Sequence, residues 1–235
     1  MTTFKEFLLE APDSISVADF AKKVAVDCAP WLKAFPDVSI YRGIGKTNDP
    51  MLRSIPVKNL TKPPYSQALI GAVRNDRRPR DLAKSTHNVL NNLFVSKVGV
   101  PLRSASLFVS KSTDTASTYG TVFNILPIGE FHYAWSKYFN DPYSLFVDDQ
   151  MKSELTRAIE AIMPQVTKKY PKMLKIGDLF KSSAALAYAV SLVPDAWTYD
   201  KNLRKCPKNA EIMLVCDKFY AMNGALYKRV REAIE

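Results

Sequence analysis

The chain has 235 residues, 47% of them hydrophobic, and carries 33 Lys and Arg against 23 Asp and Glu, a net charge of +10. That length and apolar fraction can bury a sizeable core, and no apolar run approaches the roughly 20 residues a membrane-crossing helix needs. The basic excess favours anionic partners (nucleic acid, acidic protein faces, phosphate-bearing ligands) without choosing among them.

Three cysteines, Cys28, Cys206 and Cys216, are widely spaced with no CxxC pair. Such usage fits a reducing cytoplasm and argues against a cysteine zinc site. His87 and His132 lie far apart, with no HExxH, so no metal is expected. The N-terminal residues lack the basic, apolar, small-residue order of a secretory signal, and a cytoplasmic location is expected.

Residues 4–10 are expected to form a short helix or arm. Ser16 with Asp19 resembles a capping box, and Val17, Phe20, Ala21, Val24, Cys28 and Trp31 recur at helical spacing. This predicts one amphipathic helix over 16–33, ended by Pro36. Residues 38–43 alternate apolar and polar and read as a strand that carries Arg42 to its end, beside Gly43 and Gly45. These glycines do not make a P-loop, and no GxGxxG follows a strand, so a Rossmann dinucleotide site is not expected. Pro50, Pro56, Pro63 and Pro64 make 47–65 loop-like. Arg74, Arg77, Arg78 and Arg80 then crowd a turn around Pro79, suited to an anionic partner.

A helix is predicted over 81–97, with Leu82, Val89, Leu90, Leu93 and Phe94 on one face; His87 lies on it and is given no chemistry. A strand over 104–110 follows. Ser112, Thr113 and Asp114 suit the N-cap of a short helix through Ala116 and Tyr119, which Gly120 ends. Strands at 121–127 and 130–135 read as a hairpin turned at Ile128-Gly129. This spacing leaves no room for a βαβ crossover, so the fold class is α+β with a mixed or antiparallel β core. Helices follow at 150–169, with Met151, Leu155, Ala158, Ile159 and Ile162 inward, and at 178–192. Residues 198–208 read as a polar, basic loop. Glu211 opens an aliphatic strand that is expected to pair with 218–222, and a helix over 224–234 closes the chain. The whole reads as one domain, with an N-terminal helical segment (about 1–37) and a helical insertion (about 145–195).

Three polar residues thus stand at strand ends: Arg42 in Tyr41-Arg42-Gly43, Ser110 in Ser110-Lys111-Ser112, and Glu211 in Asn209-Ala210-Glu211. In this order they resemble the arginine, serine and glutamate motifs of the mono-ADP-ribosyltransferase superfamily, most of all the small enzymes of T4-like phages. The likeness spans residues 38–223 in element order but is carried by these short motifs. Lys111 stands where the family has threonine, and Asn209 where it has the Glu or Gln that positions the acceptor side chain. The resemblance implies an ADP-ribosyltransferase-type core and transfer of ADP-ribose from NAD to a macromolecule, protein or nucleic acid, with release of nicotinamide. In a phage setting the target would be a host component. Glu211, Arg42 and Ser110 would be catalytic. Tyr41, Arg42, Gly43, Ser110, Ser112 and Tyr119 would bind NAD, while Asn209 with Arg74, Arg77, Arg78 and Arg80 would meet the target.

The chemistry asks for these residue types. Breaking the nicotinamide–ribose bond builds positive charge on the anomeric carbon, as in other oxocarbenium-like cleavages. A fixed carboxylate, Glu211, would stabilise that charge, the guanidinium fork of Arg42 suits phosphates and ribose hydroxyls, and the Ser110 hydroxyl is expected to hold the Glu211 rotamer. The alternative is a non-enzymatic basic nucleic-acid-binding protein, with Tyr133, Trp135 and Tyr138 around Lys137 as stacking platforms. Use of NAD as acceptor for an RNA 2′-phosphate ranks third.

Overall fold

The computed structural model describes residues 15–45, 52–57, 67–75, 84–138, 140, 153–179 and 181–235. The arm expected at 4–10 lies outside them. In chain order the elements are helices α1 (Val17–Asp27) and α2 (Ala29–Ala34), then strands β1 (Tyr41–Ile44), β2 (Leu52–Pro56) and β3 (Gln67–Ala72). Helices α3 (Lys84–Val98) and α4 (Leu102–Ala105), strand β4 (Leu107–Ser110), helix α5 (Thr113–Ser117) and strands β5 (Thr121–Ile128) and β6 (His132–Trp135) follow. The rest comprises α6 (Ser153–Lys169), α7 (Ile176–Leu179), α8 (Ser183–Leu192), β7 (Thr198–Tyr199), β8 (Glu211–Val215), β9 (Lys218–Met222) and α9 (Gly224–Ile234). The chain packs as two compact units: one takes residues up to Val73 with Val109–Phe131 and Cys216–Glu235, the other Arg74–Phe108 and His132–Val215.

In the first unit the strands run β2, β3, β9, β5, β1, each ladder antiparallel, and β1 meets the end of β4 through the pair Tyr41↔Ser110. Helix α1 buries Phe20, Ala21 and Val24. Phe20 meets Tyr220 of β9 edge-on at 5.3 Å, and the Tyr220 hydroxyl donates to the Asp27 carboxylate at 2.5 Å. Of the expected capping box the N-cap bond is present: Ser16 Oγ accepts from the Asp19 N–H at 3.1 Å and donates to Asp19 Oδ2 at 2.6 Å. The single helix expected over 16–33 is instead two, broken at Cys28. Pro30 has no N–H and clashes with the preceding turn of a continuous helix, whereas it suits the first turn of a new one.

Residues 47–65 are not all loop. Leu52–Pro56 forms β2, and Pro56 sits at its last position, where a missing N–H costs the ladder little. β3 is hidden in the sequence because Gly71 interrupts its apolar pattern; a Cβ there would lie 2.5 Å from the Phe219 ring.

Two expected hairpins are absent for one reason. β5 pairs with β1 and β9 in the first unit, while β6 pairs with β7 and β8 in the second. Likewise β8 pairs with β6, and β9 with β3 and β5. The chain passes from one unit to the other at both turns, so strands adjacent in sequence serve different cores.

The second unit combines the antiparallel strands β8, β6 and β7 with helices α3, α6 and α8. Leu90 and Phe94, Leu155 and Ile159, Leu186 and Val190, and Met213 of β8 share its buried core. Phe94 meets Trp197 edge-on at 4.8 Å. The strand expected over 104–110 begins later, because Leu102–Ala105 is a helical turn started at Pro101. The loop expected at 198–208 contains β7 and a 3₁₀ turn at Leu203–Lys205. The α+β class with an antiparallel core therefore holds, and among the described residues no helix is long and apolar enough to cross a membrane.

Gly43 marks the tightest approach. A Cβ on it would stand 2.0 Å from the Ala116 carbonyl oxygen and 2.9 Å from the Gly120 nitrogen. Both obstacles are backbone, so no side-chain rotation relieves them. Gly43→Ala is expected to destabilise the protein by at least about 2 kcal/mol through overpacking, read as a lower urea midpoint. An unchanged midpoint would show that α5 does not lie against β1.

Candidate active site

Within the first unit, four of the expected site residues fall on one face. The Gly43 Cβ direction points at α5, so Tyr41 shares that face by the alternation of a strand. Ser110 pairs directly with Tyr41 and so shares it too, and Asn124 of β5 pairs with Tyr41 from the other side. Ser110 is buried; its Oγ accepts from the Ser112 N–H at 3.2 Å. Ser112, also buried, is the N-cap of α5 and accepts from the Thr115 N–H at 3.2 Å. Each serine spends its hydroxyl on a backbone donor that the short helix would otherwise leave orphaned. Helix α5 ends at Ser117 with Thr118 as its cap, and Gly120 follows at φ 134 with Tyr119, 65% exposed, beside it. Arg42 alternates to the opposite face of β1, level with Phe123. Asn124, a buried polar residue in the same row, was not singled out from the sequence.

Within the second unit, Glu211 is the first residue of β8, between buried Ala210 and Ile212, with its N–H donating to the Asn140 carbonyl. Its carboxylate receives a hydrogen bond from Arg103 Nη1 at 2.7 Å, in a pair whose side chains are only 11% and 16% exposed. The Arg103 guanidinium lies over the Phe108 ring, 4.5 Å from its centroid. Its backbone N–H donates to Asn91 Oδ1 at 3.0 Å, and Asn91 Nδ2 donates to Ser104 Oγ at 2.8 Å. His87 Nε2 shares that hydroxyl at 2.9 Å. Arg103 Nε has no hydrogen-bond partner among the described residues. Breaking a buried pair of this kind by deleting one partner costs about 3–5 kcal/mol, although the intact pair contributes little over two apolar residues.

No sequence signal marks Arg103. It lies between Leu102 and Ser104 with no periodic or motif context, and its importance comes from contacts with residues 108 positions apart in the case of Glu211. His87, set aside as packing, belongs to this network: it is buried, and burial first, then the Arg103 charge, lowers its pKa.

Asn209 is exposed just ahead of β8, and Arg74 is exposed after β3; Arg77, Arg78 and Arg80 lie outside the described residues. The proposed stacking platforms are not surfaces. Tyr133 and Trp135 are each 4% exposed, and Tyr138 packs against the core of its unit with Lys137 over its ring at 4.9 Å. The three cysteines are free and buried, and burial pushes the Cys216 thiol up to about 12 and the Cys28 thiol further, which makes both poor nucleophiles. Among the described residues no group of three or more His, Cys, Asp or Glu could hold a metal ion. Comparison with protein-family models, curated proteins and solved structures finds no match.

His87 makes stability depend on pH in a defined window. Its pKa is lower folded than unfolded, so the unfolded chain binds the proton more readily. Stability is full above the ordinary histidine value of about 6.5 and falls as pH drops below it. Urea unfolding from pH 7.5 down to 5.5 should show this loss in the wild type and a flatter profile in His87→Gln. Identical profiles would remove His87 from the network.

Proposed function

We propose that the protein is an NAD-dependent mono-ADP-ribosyltransferase that moves ADP-ribose to a macromolecular acceptor, protein or nucleic acid, and releases nicotinamide. The observation that carries this reading is the register Tyr41↔Ser110. Two motifs far apart in sequence, the aromatic-Arg-Gly strand and the Ser-Lys-Ser turn, become directly opposed neighbours, with α5 seated on Gly43 beside them. In the family that the motifs resemble, these two motifs carry the NAD-binding residues. The glutamate motif supports the reading separately: Glu211 opens its strand with a carboxylate paired to Arg103.

In this reading Glu211 stabilises the charge that develops on the ribose as nicotinamide leaves. Tyr41, Gly43 and Tyr119 would meet NAD, the buried Ser110 and Ser112 would shape the site by fixing the α5 backbone, and Arg42, on the opposite face of β1, is assigned to the phosphates or ribose hydroxyls by its motif. Asn209 and the arginines at 74–80 face the acceptor. The nucleic-acid-binding alternative loses its stacking residues to the core and keeps only the charge.

Glu211→Gln should lower nicotinamide release by roughly 100-fold or more, because the amide keeps the size and loses the charge. The amide oxygen still accepts from Arg103, so the fold should persist with a lower urea midpoint from the charge left without its opposite. A well-folded Glu211→Gln protein with wild-type release would overturn the assignment, and so would a wild-type protein that cleaves no NAD when given labelled NAD and a host lysate. Arg42→Lys should weaken NAD binding in a calorimetric titration. Because Arg42 leaves β1 on the face opposite Ser110, unchanged affinity in this variant would take Arg42 out of the site.

A further inference from the structure

We propose that Arg103 is the positioning residue for the Glu211 carboxylate, and that Asn91, Ser104 and His87 fix Arg103 in turn. The proposal rests on the transferase reading above for its catalytic meaning, but its geometry lies wholly within one unit.

Three independent contacts determine where the guanidinium sits. Asn91 Oδ1 holds the Arg103 backbone, Phe108 holds the plane of the guanidinium, and the start of α4 at Pro101 fixes the entry of the chain. Leu102, 1% exposed, anchors the same turn in the core. The Asn91 side chain is itself oriented, because its Nδ2 donates to the Ser104 hydroxyl that also meets His87. A neutral His87 can accept from that hydroxyl, which leaves the oxygen lone pairs for Asn91. The chain of bonds therefore runs from α3 through α4 to the first residue of β8.

Glu211 gains a single rotamer from this chain. A glutamate has three side-chain torsions to fix, and one charge-assisted bond at 2.7 Å from a locked donor removes most of that freedom. The guanidinium meets one carboxylate oxygen, Oε1, through Nη1. The orientation in which the carboxylate is presented is then set by Arg103. Misplacing a reacting group by about 1 Å can cost about 100-fold in rate. A neighbouring cation favours the charged form of a carboxyl, so loss of the Arg103 charge should be felt at Glu211.

The test compares Arg103→Met and Arg103→Lys with the wild type. Both variants should lower kcat for nicotinamide release by about 100-fold with KM little changed, since neither removes a contact to NAD. Arg103→Met should also move the acid limb of the kcat/KM profile to higher pH, whereas Arg103→Lys, which keeps the charge, should leave it near the wild-type position. A merely structural arginine would lower the amount of folded protein without moving that limb. Lysine serves as the second variant if methionine leaves Glu211 unpaired and unfolds the chain. Turnover-independent support comes from the Glu211 side-chain carboxyl carbon, identified by its loss in Glu211→Gln. Its titration midpoint should rise in Arg103→Met by about one unit or more. An unmoved midpoint would overturn the pairing. A moved midpoint with wild-type kcat would overturn the positioning role. A moved midpoint in a protein that never cleaves NAD would overturn the transferase reading and leave the pair a structural one.

Discussion

A charge taken out of water must find an opposite charge, and in the second unit that requirement is met by Arg103 and Glu211. Neither side chain is more than 16% exposed, so neither ion has enough water to stand alone. The guanidinium is carried by α4, the four-residue helical turn between α3 and β4. That turn brings it to the mouth of β8, where an arginine placed by an extended strand would have alternated with its neighbours. The hydrogen bonds of Asn91 and Ser104 then follow, because backbone and side-chain donors at a buried turn need partners. His87 is drawn in last, as a neutral ring whose protonation would add a second positive charge beside Arg103.

The first unit depends on a different constraint, the absence of an atom. With no Cβ on Gly43, helix α5 descends onto β1 until the Ala116 carbonyl occupies the space where a side chain would begin. Ser112 and Ser110 are consequences of that descent. The first N–H groups of this one-turn helix are satisfied by the two buried hydroxyls. In the transferase reading a phosphate-bearing ligand would lie against a surface whose backbone is already fixed, at little further entropic cost.

Much of the local structure was legible from residues alone. The N-cap at Ser16, the N-cap at Ser112 and the aliphatic strand after Glu211 are short-range patterns, and each appears where its chemistry places it. The serine cap was legible as well, because capping demands a particular residue type, whereas Gly43, read as a turn residue, lies within β1 against α5. The hairpins were not. Local turn signals at Ile128-Gly129 and after Cys216 suggest a chain folding back on itself, but a strand pairs with whichever partner completes the longer ladder. β5 and β9 each lie between two other strands of the first unit, which leaves β6 and β8 to pair in the second.

The sequence by itself determined the α+β class, the caps and the identity of the carboxylate at the head of β8, since all of these depend on residue type and on neighbours within a turn or two. Only the tertiary structure decided the division into two interleaved units, the pairing of Tyr41 with Ser110, the burial of Tyr133 and Trp135, and the partnership of Arg103 with Glu211. Those outcomes depend on which surfaces meet across the whole chain. Burial and ion pairing are properties of places where distant segments converge, and no window of the sequence contains both sides of such a contact.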